Sequence, residues 1–136
     1  MIEGIDHVAI AVDDLKSAIG VYDALLEREG PDAVEEVASE GVRVAFYGLG
    51  ESRIELLECL TPSSPLARFL EKRGPGIHHI CLRVRDIDAL IPRLAATGLE
   101  FIGAAPRPGA EGCRVAFIHP RSTGGVLIEL SEAPAA

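Results

Sequence analysis

The chain has 136 residues, which is typical of one ordinary domain and long enough to bury an apolar core without disulfides. Its formal net charge of −8 argues against binding to nucleic-acid phosphates. No apolar run approaches the roughly 18 residues that a membrane-spanning helix needs. The first four residues lack the basic and apolar regions of a signal peptide, and the three cysteines are odd in number and form no CxxC pair, so we expect a cytoplasmic protein.

The first half of the chain reads as one strand, one helix and three further strands. Ile5 to Val12 alternates like a strand, and Asp13-Asp14 suits the start of a helix. Apolar residues then recur at helical spacing over about residues 14–27, and Gly30-Pro31 ends the helix. Three short strand-like runs follow, namely Ala33 to Ala38, Gly41 to Tyr47 and Arg53 to Leu57.

A linker separates this half from a second one that repeats the same order. Within residues 59–75, Pro65 suits the first position of a short helix. A strand over Ile77 to Val84 then precedes a helix from about Ile87 to Ala96, in which Pro92 predicts a start or a kink. The remaining predicted strands are Leu99 to Ala104, Arg114 to His119 and Gly125 to Leu130, with a Gly/Pro-rich loop at Pro106 to Gly112.

The two halves match residue by residue at two separate places. His7 and His79 stand at the same point of their strands, 72 residues apart, and Ile54-Glu55-Leu56 matches Ile128-Glu129-Leu130 at a shift of 74. The longer second loop accounts for the extra two residues. We therefore predict a single α+β domain of two paired βαβββ modules, at residues 5–58 and 76–132, with a linker helix in residues 59–75.

Four of the matched residues have the chemistry of metal ligands. Alternate side chains of a strand share a face, so Glu55 and Glu129 point away from the apolar residues beside them, as His7 and His79 do. Two imidazoles and two carboxylates on the inner surface of a curved mixed sheet would suit a divalent ion such as Mn, Co, Ni, Zn or Fe. Four protein ligands would leave two octahedral positions for a chelating substrate.

Two other histidines are weaker candidates. A single histidine on a strand is more often a hydrogen-bonded structural residue than a ligand. His78 alternates to the face opposite His79, and His119 ends a strand before Pro120. We therefore expect His78 to lie off the metal face and His119 to cap a turn.

Several longer motifs resemble those of one protein family. They are H-V-A-I-A-V at residue 7, E-G-V at 40, I-E-L-L-E at 54, G-I-H-H-I at 76 and H-P-R-S-T-G-G-V-L-I-E-L at 119. The chain thereby resembles the vicinal oxygen chelate (glyoxalase/bleomycin resistance/dioxygenase) superfamily and, within it, the methylmalonyl-CoA epimerases. The similarity covers almost the whole chain, and the last two motifs are the more specific.

The resemblance implies that His7, Glu55, His79 and Glu129 bind one divalent metal ion (Co, Mn, Ni, Zn or Mg) and that Glu129 is also a catalytic acid or base. The implied reaction interconverts (2R)- and (2S)-methylmalonyl-CoA by 1,1-proton transfer through an enolate that the metal stabilises. Some relatives carry Gln at the position of Glu55. Others carry a second catalytic Glu where Val44 stands, which leaves Glu36, Glu40 or a water molecule for that role.

The implied partner is a small-molecule acyl-CoA substrate, and relatives of this kind commonly form homodimers. The Arg121-Ser122-Thr123 loop is the predicted substrate-binding segment, and Arg107, Arg114 and Lys72-Arg73 suit phosphates of coenzyme A. The same fold also leaves open a glyoxalase I-like lactoylglutathione lyase, which shares the ligand set, and a metal-free small-molecule binding protein. An Fe(II) ring-cleaving dioxygenase usually has two histidines and one carboxylate, so the extra Glu argues against it.

Overall fold

A computed structural model describes residues 1–135, which form eight strands and three α-helices. No helix in this range is long and apolar enough to cross a membrane. The strands and helices have these bounds: β1 Ile2–Val12, α1 Leu15–Leu26, β2 Ala33–Val37, β3 Val42–Leu49, β4 Ser52–Cys59, α2 Pro65–Arg73, β5 Gly76–Val84, α3 Ile87–Ala96, β6 Arg107–Pro108, β7 Arg114–Ile118 and β8 Ile128–Glu132.

The chain divides into two compact units. Residues 8–78 form the Glu55 unit, and residues 1–7 together with residues from 79 onward form the His79 unit. Strand order in the Glu55 unit is β2-β3-β4-β1, with antiparallel pairing of β2 with β3 and of β3 with β4. In the His79 unit the order is β1-β5-β8-β7-β6, where β5 and β8 run parallel and β8, β7 and β6 antiparallel. This order confirms the predicted α+β class with two βαβββ sets.

In the Glu55 unit, two helices cover opposite apolar surfaces of the strands. The Asp14 carboxylate accepts a hydrogen bond from the Ser17 N–H at 3.1 Å and so caps α1, as predicted from Asp13-Asp14. Helix α1 packs on the cluster that contains Val12, Leu15, Tyr47 and Leu56. Helix α2 begins after Ser64 with a proline in its first turn, again as predicted, and covers a second cluster: Ala9, Ala11, Val42, Val44, Phe46, Leu57 and Leu66.

In the His79 unit, α3 packs on β5, β7 and β8. Its apolar residues Ile87 and Leu90 join the core cluster of Val84, Ala116, Ile118 and Leu130. The Glu132 carboxylate at the end of β8 accepts a hydrogen bond from the Ile87 N–H at 3.2 Å and so binds the start of α3. The helix begins at Ile87, so Pro92 lies inside it and does not start it.

Two strand predictions in the second half were wrong. Leu99 to Ala104 is not a strand; only Phe101 forms a bridge, to Ile118. Gly103 adopts a positive φ of 62° and turns the chain away, and the short β6 within the predicted loop pairs with β7 instead. The last strand begins at Ile128 and not at Gly125, which has a φ of 106° in the preceding turn.

Candidate metal centre

The strand register of the His79 unit brings several polar side chains to one face of its strands. Glu129 on β8 lies opposite Cys81 on the parallel strand β5 and opposite Phe117 on the antiparallel strand β7. His79 is two residues before Cys81 on β5 and therefore shares that face. The apolar neighbours of Glu129, Ile128 and Leu130, pack toward α3, as their alternation predicted.

His7, His79 and Glu129 converge on this face. The Nε2 atoms of the two imidazoles are 3.2 Å apart. Glu129 Oε1 lies 2.9 Å from His79 Nε2 and 3.4 Å from His7 Nε2. All three residues are less than a tenth exposed. The structure thus brings together three of the four residues that the repeat singled out as ligands.

The spacing of these three atoms fits a shared divalent ion. Ligand atoms bound at right angles, each about 2.1 Å from one ion, would lie about 3.0 Å from each other. The three observed separations lie close to that value, and three ligand atoms of His7, His79 and Glu129 fall within 4.8 Å of one another. Two imidazole nitrogens and one carboxylate oxygen are donors that suit Zn, Co, Ni, Mn and Fe.

The charge state of Glu129 also suits a ligand. Burial by itself raises the pKa of this carboxyl group, but the neighbouring imidazoles of His7 and His79 outweigh burial and lower the pKa to about 2. Glu129 is therefore a carboxylate at neutral pH. The thiol of Cys81 is different, because burial raises its pKa to about 12 and keeps it neutral.

Glu55, the fourth predicted ligand, lies in the Glu55 unit. It is 6% exposed, and its Oε2 accepts a hydrogen bond from Arg53 Nη2 at 3.0 Å. The Arg53 guanidinium lies 4.8 Å from the ring centre of Phe46, which pairs with Glu55 across β3 and β4. Its role as a metal ligand stays a prediction.

A family model of the glyoxalase/bleomycin resistance protein/dioxygenase superfamily matches residues 6–117. The ethylmalonyl-CoA/methylmalonyl-CoA epimerase of Cereibacter sphaeroides is 43% identical over 134 residues, which cover 97% of this chain and 99% of that protein. This chain belongs to the methylmalonyl-CoA epimerase family of that superfamily. The resemblance read from the motifs is thereby confirmed.

Solved structures of this family agree with the fold. Methylmalonyl-CoA epimerase from Mycobacterium tuberculosis is 40% identical, with a TM-score of 0.91 over 98% of this chain and 90% of that one. A methylmalonyl-CoA epimerase in complex with methylmalonyl-CoA and NH4+ is 33% identical, with a TM-score of 0.92 over 99% of this chain and 97% of that one. The similarity therefore spans both compact units.

The predicted substrate-binding loop makes local contacts between β7 and β8. The Arg121 guanidinium pairs with Glu100 Oε2 at 2.9 Å, and Ser122 Oγ accepts a hydrogen bond from the Glu100 N–H at 3.0 Å. The Thr123 hydroxyl donates to the backbone carbonyl groups of Pro120 and Val126. These contacts hold the loop in shape, and its binding of substrate stays a prediction.

The two remaining histidines behave as the sequence predicted. His119 Nδ1 accepts a hydrogen bond from the Arg121 N–H at 3.1 Å and caps the turn at residues 120–122. His78 packs edge-on against the Phe69 ring, with the ring centres 4.9 Å apart.

The position that lacks a second catalytic acid is apolar in the structure. Val44 is 3% exposed and packs with Ala9 and Ala11. Glu36 is exposed, and its Oε1 lies 3.6 Å from Arg43 Nη2. The backbone carbonyl of Glu40 accepts a hydrogen bond from the Ser64 hydroxyl at 2.8 Å. The choice among Glu36, Glu40 and water stays open.

Sequence reasoning missed one side chain beside the cluster, Asp6, and named another, Arg107, only as a candidate for phosphates of coenzyme A. Asp6 Oδ2 lies 2.7 Å from His7 Nδ1. Arg107 lies 5.0 Å from the centre of the Phe117 ring, which packs edge-on against His79. Adjacent residues of a strand usually face opposite ways, so strand alternation gave no signal for Asp6. A search for carboxylates next to each candidate ligand would have found it.

Proposed function

We propose that this chain interconverts (2R)- and (2S)-methylmalonyl-CoA by 1,1-proton transfer at the carbon between the carboxylate and the thioester. The observation that carries the proposal is a coincidence of two features. Epimerases match the chain over nearly its whole length. Within that match, the ligand atoms of two imidazoles and a carboxylate lie close enough together that they could bind one ion.

His7, His79 and Glu129 would hold the metal ion, and we propose Glu55 as its fourth ligand on the basis of the sequence repeat. When bound, a divalent ion acts as a Lewis acid that stabilises negative charge developing on the substrate oxygens, an effect of several kcal/mol. Co, Mn, Ni, Zn and Mg are the candidates. The donor set includes imidazole nitrogens, which favours the transition metals over Mg.

Glu129 is the proposed catalytic acid or base of this chain. Inversion at a carbon needs one group that removes the proton and another that returns a proton to the opposite face. Both imidazole contacts of Glu129 use Oε1. A carboxylate can coordinate through one oxygen while the other exchanges a proton, so we assign the proton step to Oε2. The second group is Glu36, Glu40 or a water molecule.

The anionic substrate must be met by local positive charge, because the chain as a whole carries a net charge of −8. We propose that Arg121, Ser122 and Thr123 contact it. Arg121 is well exposed and pairs with Glu100 at the surface, where an ion pair is weak and can exchange for an incoming anionic group. The predicted homodimer and cytoplasmic location remain predictions.

Isotope exchange in D₂O tests the reaction. Chirally pure methylmalonyl-CoA is incubated with the metal-loaded protein, and C2 is followed by NMR and mass spectrometry against a protein-free control. We expect deuterium at C2 and loss of optical purity at the same metal-dependent rate. Absence of enzyme-dependent deuterium would refute the epimerase, and formation of lactoylglutathione from methylglyoxal and glutathione would support the lyase instead.

Ethylmalonyl-CoA should be run in parallel, because the Cereibacter sphaeroides relative is named for both substrates. A comparison of the two kcat/KM values measures how much space the site leaves beside C2. A single extra methylene changes such ratios by about 10–200-fold where the pocket discriminates against it.

A further inference from the structure

The residue before the first ligand histidine makes a direct contact with its ring. Asp6 Oδ2 lies 2.7 Å from His7 Nδ1, within hydrogen-bond distance. A carboxylate only accepts hydrogen bonds, so His7 Nδ1 must carry the hydrogen of this bond. In the neutral imidazole, the lone pair is then on Nε2, which is the atom that faces His79 Nε2 and Glu129 Oε1.

Arg83 on β5 supports this contact from the other side of the carboxylate. Its Nε lies 3.4 Å from Asp6 Oδ1, while Oδ2 is the oxygen that faces the imidazole. The side chains of Asp6 and Arg83 are partly exposed, with exposed fractions of 21% and 35%, whereas the exposed fraction of the His7 side chain is 7%. A chain of contacts thus runs from a cation near the surface through a carboxylate to a buried imidazole.

The second histidine is preceded by a different kind of residue. At the position that the repeat matches to Asp6, the chain has His78, which packs against Phe69. The acidic neighbour therefore belongs to one half of the repeat, and His78 offers a matched position for a control substitution.

We propose that Asp6, supported by Arg83, is a positioning residue that prepares His7 to bind the metal ion. It fixes the ring orientation and the tautomer and makes Nε2 more electron-rich. Such outer carboxylates typically raise metal affinity by about 10–100-fold. The inference rests on the proposed metal site, and it predicts that metal affinity depends on a side chain that is not one of the proposed ligands.

Metal affinity measured in solution tests the proposal without any activity assay. The metal-free protein is titrated with Co²⁺ or Zn²⁺ in competition with a chromophoric chelator, and the Co²⁺ absorption spectrum reports the ligand geometry. Asp6→Asn keeps an acceptor oxygen but loses the charge, so we expect about 10-fold weaker binding, and Asp6→Ala should approach 100-fold. Asp6→Glu should restore part of the loss, and His78→Asn should bind like the wild type.

The outcomes separate this inference from the proposed metal site. If the wild type binds neither ion, the metal site itself is wrong, and the inference fails with it. If the wild type binds but folded Asp6→Asn and Asp6→Ala stay within about twofold of it, Asp6 has only a structural role. Should both Asp6 variants unfold, Arg83→Met decides: weaker binding with an altered Co²⁺ spectrum supports the proposal, and unchanged binding overturns it.

Discussion

Glu129 and Glu55 occupy the same position of the sequence repeat but have different surroundings. Both are buried, both pair across the sheet with a phenylalanine, and each phenylalanine has an arginine against its ring: Phe46 with Arg53, and Phe117 with Arg107. Glu129 nevertheless contacts two imidazoles, whereas Glu55 accepts a hydrogen bond from Arg53. The repeat therefore fixes where each carboxylate stands, and local side chains decide its chemistry.

The variants Glu129→Gln and Glu55→Gln give the strongest test of the difference between these two carboxylates. We expect Glu129→Gln to lower kcat by about 10²–10⁴-fold, since it removes both a charged ligand and the proposed acid or base. Glu55→Gln should lower kcat by less than about 10-fold, because an amide oxygen can replace a carboxylate oxygen as a ligand. Steady-state kinetics with metal-saturated protein, together with bound metal content, measure the difference.

Equal losses in the two variants would show that the carboxylates have equivalent roles, contrary to their contacts. Thermal unfolding of both variants without metal serves as the control, because a misfolded variant would lose activity for an unrelated reason.

The two apolar cores can be compared at the next matched position, Leu56 and Leu130. Both leucines are at most 1% exposed, and each packs against the helix of its own unit. Truncation to alanine should lower the free energy of unfolding by about 2–5 kcal/mol in either case. Denaturant unfolding followed by circular dichroism measures this loss. Repacking around the truncated side chain would relieve only the cavity part of it, about 24 cal/mol per Å³, and not the part due to lost apolar burial. A loss below about 1 kcal/mol in one variant would therefore contradict full burial of that leucine in the core.

The two helix starts offer a smaller contrast. At the start of α1, Glu58 Oε2 accepts a hydrogen bond from the Leu15 N–H at 2.8 Å. At the start of α3, Glu132 Oε2 accepts one from the Ile87 N–H at 3.2 Å. Glu58→Ala and Glu132→Ala should each cost about 0.5–2 kcal/mol of stability, the range for a lost cap. The variants Glu58→Gln and Glu132→Gln keep an acceptor oxygen and should therefore retain most of this stability. Glu58→Ala should cost less, because Asp14 also caps α1.

The smallest effect is expected at the surface pair of Asp88 and Arg114. A hydrogen bond from Arg114 lowers the pKa of Asp88, so the pair stabilises the fold above the ordinary carboxyl pKa. That contribution is lost as the pH falls through the lowered pKa. Asp88→Asn should therefore lower Tm by about 1–3 °C at neutral pH and make no difference in strong acid. A difference in Tm that persists below both pKa values would contradict this origin.

The periodic elements were predictable because their patterns are local. Apolar residues at helical spacing gave α1 and α3 to within a residue or two, and Asp14 and Pro65 marked helix starts through backbone chemistry. The run at Leu99 to Ala104 looked like a strand, but strand pairing needs a partner edge, and only Phe101 found one. The contact between Asp6 and His7 was missed because it depends on the direction of the Asp6 side chain, which residue spacing does not record.

The amino-acid sequence by itself determined the duplication, the two imidazole–carboxylate pairs and the family of this protein, because these depend on residue identity at fixed separations. Only the tertiary structure decided that His7, His79 and Glu129 share one compact unit, and that Phe46, with Arg53 against its ring, pairs with Glu55 across two strands. Those facts depend on which strands pair and in which register, and pairing is settled by packing across distances in the chain that no local pattern records.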